Sequence, residues 1–116
     1  MEFWFDGPDR DRADCDDHTR QLVAEMQRTA IEHFLPHLDD TDERMLVPDL
    51  VDRLSEVDVP TLVVIGDHDA TDIAAIADRI VGEISGAGLG VIAGAAHLPS
   101  LEAPEQFNAM LADFLR

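Results

Sequence analysis

The chain is 116 residues long and carries 25 acidic side chains against 8 arginines, with no lysine, for a formal net charge of −17. A surface of this charge repels phosphate groups, which argues against nucleic acid and anionic membranes as partners. The length allows one domain at most, and an apolar content of 46% is ordinary for a globular chain.

Neither the single cysteine nor the N-terminal residues indicate export. Cys15 has no second thiol with which to form an internal disulfide, which fits a reducing compartment. The first residues lack the basic start and the apolar core of a signal peptide, and no apolar run approaches the roughly 20 residues of a membrane span. We therefore expect a cytoplasmic protein.

Residues 1–57 form an acidic region with mostly helical patterning. The aromatic run EFWF at 2–5 is compatible with a brief strand or with an anchor packed on a neighbour, and 9–17 has no apolar face and predicts a loop. From about Asp17 to His37 apolar residues recur at helical spacing, with Asp17 as the predicted N-cap and a proline marking the end. These apolar positions are Leu22, Val23, Met26, Ala30, Ile31 and Phe34.

The pattern changes after a shorter amphipathic helix predicted over 46–57. Residues 61–65 form an uninterrupted run of mainly β-branched and leucine side chains, which is typical of a strand buried on both faces. A helix is predicted over 72–84, with Thr71 or Asp72 at its N-cap. Its apolar stripe consists of Ile73, Ile76, Ala77, Ile80, Val81 and Ile84.

A second short apolar strand is predicted over 89–93, and a last helix begins at Pro104 and runs to the C-terminus. The apolar face of that helix consists of Phe107, Met110, Leu111, Phe114 and Leu115. Two strands joined through a helix form a βαβ unit, which should be parallel and right-handed. Because two short parallel strands do not make a covered sheet alone, we expect 58–116 to be one edge of a larger α/β sheet.

Two polar segments directly follow the two predicted strands. GDHD at 66–69 follows the first strand, and AGAAHLPSLEAP at 93–104, which contains His97, follows the second. Open α/β sheets gather their sites at the carboxyl ends of strands, and adjacent parallel strands bring such loops side by side. Asp69 can then accept a hydrogen bond from the Nδ1–H group of His97, which fixes the tautomer and stabilises the imidazolium as in a hydrolytic triad.

The segments VPTLVVIGDHD and GVIAGAAHLPSLEAPEQFNAMLADFL closely resemble the C-terminal half of α/β-hydrolase proteins. In that family a Gly-x-x-Asp turn supplies the triad acid, the loop after the last strand supplies the histidine, and a Glu-x-Pro-x-x-Phe pattern opens the final helix. The resemblance implies Asp69 as the acid, His97 as the base and no cofactor. It covers about 58–116, and 1–57 is similar to the helical cap before the penultimate strand. The implied fold is a partial α/β-hydrolase fold, a parallel βαβ unit with flanking helices and an N-terminal helical cap segment.

The family's nucleophile stands in a Gly-x-Ser-x-Gly elbow, and the sequence contains no such motif. Its serines, Ser55, Ser85 and Ser100, stand in other contexts, and the family's His-Gly oxyanion motif is absent as well. We therefore expect a truncated hydrolase for esters, lactones or related bonds in small molecules. A complementary N-terminal half would bring the nucleophile, and the free chain should hydrolyse nothing efficiently.

Three alternatives accompany this prediction. Asp67, two residues before Asp69, competes for the role of the acid. The chain is also compatible with a catalytically inactive module that covers its open sheet edge by self-association. A third hypothesis is a small metal-binding protein, because potential ligands cluster in two short segments. These ligands are Asp67, His68, Asp69 and Asp72 in the first segment, and Cys15 and His18 in the second.

Overall fold

The computed structural model describes residues 5–11, 15–40 and 50–116. Helices alternate with two strands in the second half of this part of the chain. In chain order the elements are α1 (Asp17–Phe34), a 3₁₀ helix (Leu35–Asp40), a second 3₁₀ helix (Leu50–Glu56), β1 (Leu62–Gly66), α2 (Thr71–Glu83), β2 (Gly88–Ile92), α3 (Pro99–Glu102) and α4 (Pro104–Phe114). None of the described helices combines the length and the apolar character that a membrane crossing requires.

Helix α1 is capped by a different aspartate from the one predicted. The N-cap is Asp16, whose carboxylate accepts a hydrogen bond from the Thr19 backbone N–H at 2.7 Å. The prediction of Asp17 as N-cap is wrong because both aspartates fit the sequence pattern and only the hydrogen bond distinguishes them. The helix ends at Phe34, and the predicted last turn continues as the 3₁₀ helix that contains Pro36.

The second helix of the acidic region is only partly described. Residues 46–49 lie outside the described residues, and Leu50–Glu56 form a 3₁₀ helix instead of the predicted α-helix. No residue of this 3₁₀ helix is buried, although the helix contacts α2. Residues 2–4 of the aromatic run also lie outside the described part, whereas Phe5 is fully buried, as expected for an anchor.

The two strands pair in parallel, which confirms the predicted βαβ unit. The register places Leu62 opposite Gly88 and Gly66 opposite Ile92. Helix α2 connects the strands and contacts both of them. Each strand is displaced by one residue from its predicted bounds, and the carboxyl ends of both strands meet at the same edge of the sheet.

The start of helix α2 differs from the prediction. Ala70 occupies the N-cap position, and its side chain makes no capping hydrogen bond. Thr71 and Asp72 both lie inside the first turn, so the prediction of either as the cap is wrong. The carboxylate of Asp69 accepts the Ala70 N–H at 2.8 Å and thus bridges the turn after β1 to the helix.

The strands are less buried than an uninterrupted apolar run predicts. In β1 the residues before Gly66 are half-buried, and in β2 Leu89 and Val91 are 41% and 51% exposed. The alternate residues of β2, Gly90 and Ile92, are buried. The prediction of strands buried on both faces is therefore wrong for the described residues, because two strands and their helices cover only part of the sheet.

Helix α4 begins at Pro104, as predicted, and packs on β2. Gly90 makes room for this contact, since a Cβ atom there would overlap the sulfur of Met110. The short helix α3, which lies between His97 and α4, is absent from the prediction because its four residues are too few to show a helical period. The predicted apolar face of α4 remains partly exposed at Leu111, Phe114 and Leu115.

Candidate active site

Asp69 and His97 meet at the carboxyl ends of the two parallel strands. The Nδ1 atom of His97 lies 3.0 Å from Oδ2 and 3.1 Å from Oδ1 of Asp69, which is hydrogen-bonding distance to both carboxylate oxygens. The side chain of Asp69 is 6% exposed and that of His97 is 36% exposed. The carboxylate is therefore shielded from water, while the imidazole reaches the surface of the described chain.

Asp67, the alternative candidate for the triad acid, makes different contacts from Asp69. Its Oδ1 atom accepts the backbone N–H of Gly94 at 2.7 Å, and its own N–H donates to the Ile92 carbonyl at 3.1 Å. The N–H of His68 donates to the Ala95 carbonyl at 3.0 Å. These bonds tie the loop after β1 to the loop after β2, and they leave Asp69 as the carboxylate that contacts His97.

The two loops approach each other too closely for any side chain at the end of β1. A Cβ atom on Gly66 would overlap the carbonyl oxygens of Ala95 and Ala96. Glycine is therefore required at this position, in the first residue of the GDHD segment. Its role is to bring the two backbones together so that Asp69 and His97 can pair.

Glu102 organises the backbone on both sides of the histidine. Its Oε1 atom accepts the N–H groups of Ala96 and Leu98, at 3.0 and 3.2 Å. Its Oε2 atom pairs with the Arg10 guanidinium at 2.6 Å, and these two charged side chains are only 6% and 7% exposed. The sequence placed Glu102 in a family motif but assigned it no contact.

Arg10 joins the segment before α1 to the loop after β2. Besides Glu102, its guanidinium donates to the carbonyls of Gly94 at 2.6 Å, of Asp6 at 2.7 Å and of Phe5. Sequence reasoning missed this residue, because an arginine in an acidic loop has no local signal for a partner 92 positions away.

Asp6 and Arg20 anchor the same segment to helix α1. The guanidinium of Arg20 donates to both carboxylate oxygens of Asp6, at 2.9 and 2.8 Å. These hydrogen bonds, made in a largely buried setting, hold the pKa of the Asp6 carboxyl below its usual range. The bidentate pair fixes the end of the segment that carries Arg10.

His68 also contacts this segment. Its Nδ1 atom lies 3.0 Å from Oδ1 of Asp9, and its side chain is half-buried. The backbone contributes as well, because a Cβ atom on Gly7 would overlap the His68 carbonyl oxygen, and Gly7 has a φ of 83°.

The chain matches no protein-family model and no curated protein sequence, but it is similar to solved structures. A structure described as Est816, an N-acyl homoserine lactone degrading enzyme, is 39% identical, covers 57% of this chain and 26% of its own, and has a TM-score of 0.53. MenH from S. aureus is 31% identical, with coverages of 59% and 25% and a TM-score of 0.55. A hydrolase from Pseudomonas aeruginosa is 34% identical, with coverages of 58% and 25% and a TM-score of 0.53.

All three of these structures have the α/β-hydrolase fold. The chain carries a C-terminal part of that fold. This confirms the family resemblance and the fold class that the sequence predicts. The chain spans about a quarter of the length of each hydrolase structure that it matches.

The loop that follows β2 and contains His97 is called the histidine loop below. An apolar groove runs beside it. It has a volume of about 310 Å³ and lies between helix α1 and the residues that follow His97. The groove is lined by Val23, Met26, Gln27, Ala30, Leu98 and Leu101. An apolar body next to a few polar groups is the usual character of a small-molecule site.

None of the chain's three serines stands at a strand–turn–helix elbow of a hydrolase. Ser55 lies in the second 3₁₀ helix, Ser85 follows α2, and Ser100 lies in α3. The thiol of Cys15 is a poor nucleophile at neutral pH, because burial raises its pKa. Neither the three serines nor Cys15 therefore stands in the setting of an activated hydrolase nucleophile.

The metal hypothesis receives no support from the described part of the chain. Within residues 5–11, 15–40 and 50–116, no three His, Cys, Asp or Glu side chains come together in a group that could hold a metal ion. Three of the predicted ligands in the first segment instead have other partners: Asp67 accepts from Gly94, His68 contacts Asp9, and Asp69 contacts His97.

Proposed function

We propose that this chain supplies the general base and the triad acid of an α/β-hydrolase that cleaves esters or lactones. The observation that carries the proposal is the carboxylate of Asp69 held 3.0 Å from Nδ1 of His97, where two parallel strands end. A buried carboxylate accepting from Nδ1–H leaves Nε2 as the basic nitrogen of the imidazole.

In the proposed reaction, Nε2 of His97 takes the proton of a nucleophilic hydroxyl as that oxygen attacks the carbonyl carbon of the substrate. The imidazolium then gives the proton to the leaving alkoxide as the acyl–oxygen bond breaks. Water hydrolyses the acyl intermediate with the same residue acting as base. Asp69 stabilises the imidazolium in both steps and is not itself protonated.

The nucleophile and the oxyanion donors belong, in this proposal, to an N-terminal part of the hydrolase sheet. Two observations support it: the sequence lacks a Gly-x-Ser-x-Gly elbow, and the matched structures are about four times as long as the part they share with this chain. The half-buried side chains of β1 and the exposed Leu89 and Val91 of β2 fit a strand pair that further structure covers.

We propose that the groove between α1 and Leu98 binds the apolar part of the substrate. It opens directly beside the histidine loop, and its lining is almost entirely apolar. The structure described as Est816 is named for degrading N-acyl homoserine lactones, molecules that join an acyl chain to a lactone ring. We therefore propose an ester or lactone with an apolar acyl portion as the substrate class.

A chimaera tests this function. The whole chain replaces the C-terminal part of the lactonase that it matches, and turnover is measured on a panel of acyl esters and lactones. We expect turnover by the chimaera and none by the 116-residue chain alone, because in this proposal the N-terminal part supplies the oxyanion donors and the nucleophile. Turnover by the chain alone that is lost in Ser100→Ala would contradict the proposal.

The second candidate is an inactive interaction module, which the exposed sheet face favours. Leu89 and Val91 lie next to each other on one face of β2, and each strand has an unpaired edge in the described structure. Sedimentation of the chain alone tests this candidate. A single, cooperatively folded monomer at all concentrations would count against self-association.

A further inference from the structure

The carboxylate of Glu102 bridges the histidine loop from inside. One of its oxygens accepts the N–H groups of Ala96 and Leu98, which are the residues on either side of His97. Both bonds run from main chain to a charged acceptor in a buried setting, where such bonds are strongest. The peptide groups that carry the imidazole are therefore held at two points.

The second oxygen of Glu102 is held by Arg10. The guanidinium of Arg10 also donates to the Gly94 carbonyl, three residues before His97. Arg10 therefore restrains the histidine loop both directly and through Glu102. Its own position is set by the backbone carbonyls of Phe5 and Asp6 and by the Asp6–Arg20 pair.

We propose that Glu102 is a positioning residue for His97 and that Arg10 holds Glu102 in place. The hydrogen bonds of Glu102 go to the backbone N–H groups of Ala96 and Leu98 and to Arg10. It fixes the backbone that aims Nδ1 of His97 at Asp69, so the acid–base pair depends on a segment more than 80 residues earlier in the chain. The inference rests on the proposed function, since His97 needs this orientation to act as the base.

Nuclear magnetic resonance of the 116-residue chain tests the inference without any turnover. Amide hydrogen exchange reports the N–H groups of Ala96 and Leu98, and nitrogen–proton correlation spectra of the neutral imidazole report the tautomer of His97. In Glu102→Ala we expect amide exchange at these two positions to be about 10- to 100-fold faster, as for loss of a hydrogen bond to a charged acceptor. We also expect the single Nδ1–H tautomer of His97 to be lost.

Two further variants separate positioning from general stability. Glu102→Gln keeps an oxygen acceptor for the two N–H groups, so it should retain the wild-type tautomer. Glu56→Ala removes an exposed carboxylate paired with Arg53 and should leave both readouts unchanged. A folded Glu102→Ala chain with wild-type exchange and a wild-type tautomer overturns the inference.

The remaining outcomes are also decisive. If Glu102→Ala does not fold, Arg10→Ala is measured instead. It keeps the Glu102 carboxylate but removes the guanidinium that holds it, so the amides of Ala96 and Leu98 should exchange faster. An unchanged exchange rate in Arg10→Ala overturns the role of Arg10. Unprotected amides at Ala96 and Leu98 in the wild-type chain overturn the whole inference. Asp69→Asn distinguishes the two proposals. If the His97 tautomer changes in Asp69→Asn but not in Glu102→Ala, the positioning role of Glu102 is overturned and the proposed function stands. No change in Asp69→Asn removes the proposed function and the inference with it.

Discussion

Gly66 lies so close to Ala95 that a Cβ atom on Gly66 would overlap the Ala95 carbonyl oxygen. This approach joins the end of β1 to the loop after β2, and it brings together the two loops that carry Asp69 and His97. The close contact between the two loops of the site therefore depends on the absence of a side chain at Gly66.

Gly66→Ala should consequently destabilise the chain by about 2 kcal/mol or more, because the added methyl group forces the two loops apart. Chemical denaturation measures the change in unfolding free energy. The matched control is Gly82→Ala in helix α2, where nothing lies within 4 Å of the new methyl group. That variant should be more stable than the wild type, by up to about 1 kcal/mol. Equal effects of the two substitutions would contradict this account of Gly66.

Asp69→Asn should lower kcat of the chimaeric hydrolase by about 10⁴-fold, since an amide at this position favours the wrong histidine tautomer. The substitution keeps the shape of the side chain, so KM should change much less. Asp78→Asn, an exposed aspartate of α2, serves as the control and should leave kcat unchanged. A decrease in Asp69→Asn below tenfold would show that the carboxylate does not orient the base.

Asp6 makes stability depend on pH in a predictable direction. Because Arg20 lowers the pKa of Asp6 in the folded chain, the stabilisation is complete above the unfolded pKa, about 4 for an aspartate, and is lost as the pH falls through the lower folded value. Asp6→Asn should therefore be less stable than the wild type at neutral pH. The difference should shrink as the pH is lowered below 4 in a series of urea titrations. A difference that stays constant with pH would contradict the charged pair.

The exposed face of β2 should promote association of the chain alone. Val91→Lys places a charge among the exposed apolar residues, so it should shift sedimentation towards the monomer. Val59→Lys changes a residue that is 60% exposed and lies outside the strands, and it should leave the association state unchanged. The same shift in both variants would point to net charge and not to this face.

Sequence reasoning predicts the strand pair, its parallel direction and the contact between Asp69 and His97. Each rests on a local signal: an apolar run between Pro60 and Gly66, a helical stripe, and polar residues at the strand ends. The prediction that both strand faces are buried is wrong. An apolar run shows that a strand's side chains favour burial, but it does not show how many other elements the chain packs against them.

The interactions of Arg10 and Glu102 that hold the histidine loop could not be predicted from the sequence. Arg10 and Glu102 are 92 positions apart, and no periodicity links an acidic loop to the start of the last helices. The N-cap of α1 shows the same limit at short range, since Asp16 and Asp17 differ only in the hydrogen bond that one of them makes. Long-range ion pairs and single-residue caps are set by tertiary packing, which a pattern does not contain.

The most direct test of the central claim is kcat of the chimaeric hydrolase with His97→Ala compared with His33→Ala. His33 is an exposed histidine in the last turn of α1, so it matches the change in residue type without touching the site. We expect a loss of about 10⁶-fold in His97→Ala and wild-type turnover in His33→Ala. Turnover in His97→Ala within tenfold of the wild type would contradict the assignment of His97 as the base.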